Sequence, residues 1–367
     1  MFYDKILTMK HILTFISPLL LAGALFVPAA AQTAPAKKAA SPAPKAAAPA
    51  PKAAPAAKKA AAAAPKAAPA VAASTPTPKT PFEEATDNLK AADAATRRQG
   101  ADALGRLRDG KAEPLLLKAL SDESAPVRAA AADSLGMLRS RGAVPVLAKM
   151  LTDDKDPSAR QAAAISLSYI GDPAAGDALV KALKDEAPGV RYAAARTLGV
   201  IRYAKAEDAL IVFLDGKDLN MRRGAAATLG QLRSVKALDG LYVAVRDEDR
   251  FLRLESVKAI GEIGDKAAVP ALSKALADKD QSVSIEAALA LAKLGSDEGL
   301  KAAYELIKSP EMPVKQQAAN VIALMGNEKS VKVLDEVYAA EKDENSKMLI
   351  DYARQRLAAR LRLQKQQ

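Results

Sequence analysis

The sequence predicts an all-α fold, a solenoid of about eight stacked two-helix repeats with a capping helix at each end. Three observations carry this. First, an anchor position recurs at Arg97, Arg128, Arg160, Arg191, Arg222, Arg253, Ser284 and Lys315, with six gaps of 31 residues and one of 32. A fixed period of roughly 20–50 residues marks an architecture of stacked units. Second, aliphatic residues follow each anchor at +7 and +10 (Leu135 and Leu138, Leu198 and Ile201, Ile260 and Ile263), usually with Ala or Ser at +3. That spacing draws one face of a helix. Third, position +19 is Leu147, Leu179, Leu210, Leu241 or Leu272 in successive repeats, and +22 and +23 continue a second buried stripe.

Residues 1–31 read as a secretory signal. Lys10 and His11 form a polar head, Ile12 to Val27 an apolar core, and Ala29-Ala30-Ala31 a cleavage site. Met9 is an alternative start. The apolar run falls short of the ~20 residues that span a bilayer, so cleavage is expected rather than anchoring. Residues 32–81 are an Ala/Pro/Lys tract with eight lysines and no acid. Prolines every few residues and the lack of large apolar groups predict a disordered linker. Residues 82–345 should form the solenoid, opening with a single amphipathic capping helix from Phe82 to Ala95. Residues 346–367 should hold the C-terminal cap and tail. Small residues at +3 and +8 (Ala131, Gly136, Ala194, Gly199, Ala225, Gly230) let neighbouring helices approach closely. Gly171-Asp172-Pro173 and Gly264-Asp265 supply helix-stop and helix-start chemistry between the two helices of a repeat.

The stretches AGDALVKALKDEAPGVRYAAARTLGVI and FLRLESVKAIGEIGDKAAVPALSKALADKD resemble the HEAT-like repeats first described in bilin lyase subunits, whose consensus is D-x-x-x-x-V-R-x-x-A-A-x-x-L-G-x-I-G. The resemblance covers residues 96–340. It implies the solenoid fold and, for most relatives, a scaffolding role; a few are enzymes.

Composition argues against catalysis. The chain has no Cys and no Trp, and its one histidine, His11, lies in the signal segment. The commonest metal ligands and the commonest general base are therefore missing from the mature protein. No His-Glu pairs of the kind used by metal-dependent hydroxylases of this repeat class occur. Neither enzyme activity nor a cofactor is expected. The net charge of +11 is concentrated in the tail, leaving residues 82–367 near +2, so nucleic acid is not an expected partner. Asp122, Asp154, Asp185, Asp247 and Asp278 each precede an anchor by six residues. They should cap helices and pair with the arginine row.

Recognition is expected where the repeats differ. At +20 and +21 of the second helices stand Ile211, Val212, Tyr242 and Val243, with Tyr304 further on and Lys118, Lys149, Lys181 and Lys274 flanking them at +21. By resemblance these positions face the inner, concave side, where an apolar island between lysines offers a protein-binding groove. The expected role is a non-enzymatic binding scaffold exported to the bacterial periplasm or cell envelope. Two alternatives stand beside it: attachment through the lysine-rich segment 32–81 to anionic cell-wall polymer or lipid, and an accessory factor related to bilin lyases.

Overall fold

The computed structural model describes residues 78–366; the signal segment and nearly all of the linker lie outside the described residues. Among these residues the fold is helical throughout. A capping helix α1 (Pro81–Asn88) precedes eight helix pairs. The first helices are α2 (Ala94–Leu107), α4 (Ala125–Met137), α6 (Pro157–Ile170), α8 (Pro188–Val200), α10 (Leu219–Gln231), α12 (Arg250–Ile263), α14 (Gln281–Lys293) and α16 (Met312–Met325). Their partners are α3 (Glu113–Ala119), α5 (Val144–Asp153), α7 (Gly176–Ala182), α9 (Glu207–Ile211), α11 (Leu238–Ala244), α13 (Val269–Ala275), α15 (Asp297–Leu306) and α17 (Glu328–Ala340). The last helix, α18 (Glu344–Lys365), closes the stack.

The entry cap is shorter than the sequence suggests. Thr80 and Glu83 form a reciprocal capping box that starts α1, but the helix stops at Asn88, and Asp93 starts α2 afresh by accepting the Thr96 amide. A side-chain cap at Asp93 outcompetes continuous helix, as Asp does when its carboxylate bonds local backbone. The second helices of the first six repeats begin with a short 3-10 turn. That of the fourth repeat is the most irregular: α9 ends at Ile211, and Val212–Asp215 winds as 3-10.

The leucines and isoleucines at +7 and +19 are sealed from solvent, Leu135, Leu147, Leu198 and Leu210 among them. They form a core that runs from Ala85 along the stack and passes at α14 into a second cluster ending at Leu357. Each repeat buries its apolar stripes only against its neighbours, so stability is a sum of nearest-neighbour interfaces.

The anchor row ties the repeats together. Arg128 donates from Nε and Nη2 to Asp154 at 2.7 and 2.6 Å. Arg97 pairs likewise with Asp122, Arg160 with Asp185 and Arg253 with Asp278, and Arg222 meets Asp247 at 2.8 Å. The same guanidiniums donate backwards to turn carbonyls, as Arg128 does to Asp122 and Glu123. The ladder aspartates do not cap the helices themselves: Asp154 accepts the Asp156 amide, and Asp156 caps α6. Where the sixth residue before the next anchor is Gly216, Arg191 reaches Asp218 instead, at 3.1 Å. The ladder is rebuilt near its end: Ser284 bonds the Leu276 carbonyl, Ser309 bonds Gln281, and Lys315 pairs with Glu341 and Ser346, which fastens α18.

Two layers result, spaced differently. Consecutive first helices meet backbone to backbone. A methyl placed on Gly136 would stand 3.0 Å from the Ser166 Cα, and the hydroxyls of Ser134, Thr197 and Thr228 donate to carbonyls of the preceding first helix at 2.9 to 3.1 Å. The second helices carry Leu117, Val180, Ile211, Tyr242 and Tyr304 between them, and their backbones stand further apart. An array spaced closely on one side and widely on the other bends towards the close side. The first helices therefore line the inner face. This corrects the expectation that +20 and +21 look inward; they belong to the outer layer.

Candidate functional site

The inner face is built from the side of each first helix opposite the core, chiefly positions +1, +5 and +9. Position +9 carries Met137 on α4, Tyr169 on α6 and Val200 on α8, and these are 40, 57 and 47% exposed. Three large apolar side chains thus stand on consecutive, closely stacked helices and face water. Tyr192 adds an exposed aromatic at the other end of α8. Scattered exposed apolar residues are ordinary, but a contiguous row on a recessed surface marks an interaction site.

Charge frames this row. Asp102 and Asp133 occupy +5 of the first two repeats. The Asp133 carboxyl reaches water on one side and is walled by the inner face on the others. That burial, and the like charge of Asp102, push it up to about 6 from an ordinary 3.8. Towards the C-terminus Glu255, Lys258, Glu262, Glu286 and Lys293 form a mixed cluster. Glu286 is 6% exposed, and its burial raises its affinity for a proton although Lys258 and Lys293 oppose this. A carboxyl bound more tightly by its proton in the folded chain loses stability as pH rises from its unfolded to its folded value. Asp133→Asn should therefore leave thermal stability unchanged near pH 4 and raise it at pH 7; an equal effect at both values would contradict the shift. Among the described residues no group of three or more acids or histidines is placed to hold a metal ion.

A cleft of ≈ 410 Å³ opens where α8 and α10 end, lined by Gly199, Val200, Arg202, Gly230, Gln231, Arg233 and Glu262. It continues the apolar row into a pair of arginines. The backbone there is unusual: Arg202 and Arg233 have φ of 50° and 54°.

The residues singled out from the sequence separate into two sets on the outer layer. Ile211 and Tyr242, at +20, are half-buried and pack against the core. Tyr304 sits equivalently, its hydroxyl 2.5 Å from Ser330 of the next repeat. Val212 and Val243, at +21, are 73 and 63% exposed. Lys118, Lys149, Lys181 and Lys274 share that outward row; Lys149 is paired with Asp153 on its own helix, and Lys274 lines a cleft with Arg246 and Asp278. Met137, Tyr169, Val200 and the φ-positive arginines were not anticipated. The signal for the first three was present, since +9 varies from repeat to repeat as freely as +21 does.

The HEAT-repeat profile matches six overlapping segments, 82–168, 147–218, 176–254, 207–283, 239–311 and 272–350. The chain belongs to the HEAT-repeat family. No curated protein matches it. Among solved structures it is similar to the complex of CpcE and CpcF of phycocyanin lyase from Nostoc, at 28% identity over 70% of this chain and 98% of that one, TM-score 0.42. It is also similar to YibA of Escherichia coli, at 19% identity over 77% of this chain and 98% of that one, TM-score 0.49. Human deoxyhypusine hydroxylase is a third, at 21% identity over 66% and 95%, TM-score 0.31.

Proposed function

We propose that this HEAT-repeat chain is a non-catalytic scaffold of the cell envelope that holds a segment of a partner protein along its inner face. The observation that carries the reading is the exposed row Met137, Tyr169 and Val200 on three adjoining helices, bordered by charge on both sides. An apolar strip with a polar rim is the anatomy of a protein interface. A solenoid offers such a strip along its whole length. The complex of two such subunits, CpcE with CpcF, supports a protein as the partner. Export rests on the signal segment at residues 1–31.

Photo-crosslinking separates the inner from the outer face. A photoreactive residue at Val200 should give one defined adduct in cells, and the same residue at Val212 none. An adduct from Val212 alone would move the interface to the outer row and return Val243 and the lysines to the centre of it.

A further inference from the structure

We propose that the edge of the stack where the first helices end is a docking site for an acidic polypeptide segment, read by four arginines held in left-handed backbone conformation. The proposal rests on the scaffold reading and names the partner's chemistry. Position +11 holds Arg108, Arg139, Arg202 and Arg233, with φ of 52, 51, 50 and 54°. At the same position the third, sixth and seventh repeats carry Gly171, Gly264 and Gly295, with φ of 74, 80 and 80°. The helix stop therefore calls for glycine, because the Cβ of any other residue crowds its own carbonyl in this region. Four repeats keep arginine against that preference.

The stack holds these side chains by no direct bond. All four are exposed, and among the described residues none of the four guanidiniums joins a salt bridge or donates a hydrogen bond. The anchor arginines, by contrast, are each paired. A cation retained in a strained position without a direct internal bond points to an external partner. Backbone strain of this kind gathers at binding sites, where the rest of the fold sustains it.

The surroundings select the ligand. Arg202 and Arg233 line one cleft together with Val200, and Met137 and Val200 of the apolar row stand two residues before Arg139 and Arg202. Guanidinium beside apolar surface suits carboxylates interspersed with apolar side chains, and its planar fork pairs with carboxylate through two hydrogen bonds. A bare polyanion would leave the apolar row unmatched, and its continuous charge could not avoid Asp109, Asp172 and Glu262 along the same edge as spaced carboxylates can. The third repeat replaces arginine with Gly171-Asp172, which divides the cations into two pairs. Packed helices lie ~10 Å apart and an extended chain rises ~3.3 Å per residue. Acidic side chains about three residues apart would therefore match each pair.

The test uses the full chain and a fluorescein-labelled synthetic peptide with glutamate at every third position and leucine and serine between. The variant carries Arg108→Gly, Arg139→Gly, Arg202→Gly and Arg233→Gly together. Glycine is the residue this backbone prefers, so the variant should melt at the same temperature or higher. Its affinity for the peptide, by fluorescence anisotropy, should fall at least about tenfold. Equal affinity for both proteins would overturn the proposal, as would inorganic polyphosphate binding as tightly per charge as the peptide. A Tyr169→Ala, Val200→Ala variant distinguishes the two readings. If it weakens binding and the glycine variant does not, the inner-face scaffold stands and the arginine site falls. If neither weakens binding, both fall.

Discussion

Truncating Arg128 to alanine should destabilise the stack by about 3–5 kcal/mol, the usual cost of leaving one partner of a buried ion pair uncompensated. Both side chains of the Arg128–Asp154 pair are 8% exposed, so water cannot replace the lost guanidinium at Asp154. Two turn carbonyls lose their donor at the same time. Amide hydrogen exchange resolves the effect better than a single melting temperature, because a solenoid opens locally: protection should fall in α4 to α6 and much less in α16. A companion variant, Arg128→Met with Asp154→Leu, should recover part of the loss, since an apolar pair carries no stranded charge. Recovery should stop short of wild type because Asp154 also receives the Asp156 amide.

The same pairs set the response to acid. At Asp154 burial raises proton affinity, but the Arg128 hydrogen bond and the Asp156 amide outweigh it, and the net shift is downward. At Asp122 the Arg97 hydrogen bond is the largest influence and also lowers it. Glu341, held by Lys315, is lowered to about 2. A carboxylate whose folded value lies below its unfolded one contributes stability that is complete above the unfolded value and lost as pH falls through the folded one. Acid unfolding should thus begin below pH ~4 and steepen towards pH ~2. The Arg128→Ala protein should lose its deficit over the same interval as the wild type comes down to meet it.

The ladder and the stack were legible in the sequence because they repeat. The positions of Arg128 and Leu135 recur eight times, six of them as arginine and six as leucine, and periodicity averages out the local exceptions. The bend of the stack was not legible by that route. It depends on a difference between two layers, small residues such as Gly136 and Ser166 in one and Tyr242 or Ile211 in the other, and neither layer's pattern shows it alone. Placing Val212 and Val243 on the inner face therefore required an analogy, and the packing of the first helices removed it. The left-handed arginines were hidden for a different reason. Arg108 or Arg202 beside a helix end looks like favourable charge at a C-terminus, and only the dihedral angle shows that it occupies a glycine's place. The short entry cap, ending at Asn88, was lost because Asp93 competes for the same backbone that helix propensity would continue.

Replacing Gly230 with valine should be nearly as damaging as breaking the ladder, at about 3 kcal/mol, the upper part of the usual range for overpacking. A Cβ at Gly230 would lie 2.6 Å from the Ala259 Cα and 2.8 Å from its Cβ. The obstruction is backbone, so no side chain can rotate away, and α10 and α12 must part. In an exposed helix the same change would help slightly, since glycine is a poorer helix former than valine by a few tenths of a kcal/mol. The sign therefore reports the contact rather than the propensity. Gly110→Ala is the matched control: nothing stands within 4 Å of its Cβ position, and stability should move by less than ~0.5 kcal/mol. If Gly230→Val were neutral, the first helices would not be the tightly spaced layer, and the assignment of Tyr169 and Val200 to the inner face would fail with it. The glycine row thus links the fold to the site: the close approach it permits bends the array, and the bend decides which variable side chains a partner meets.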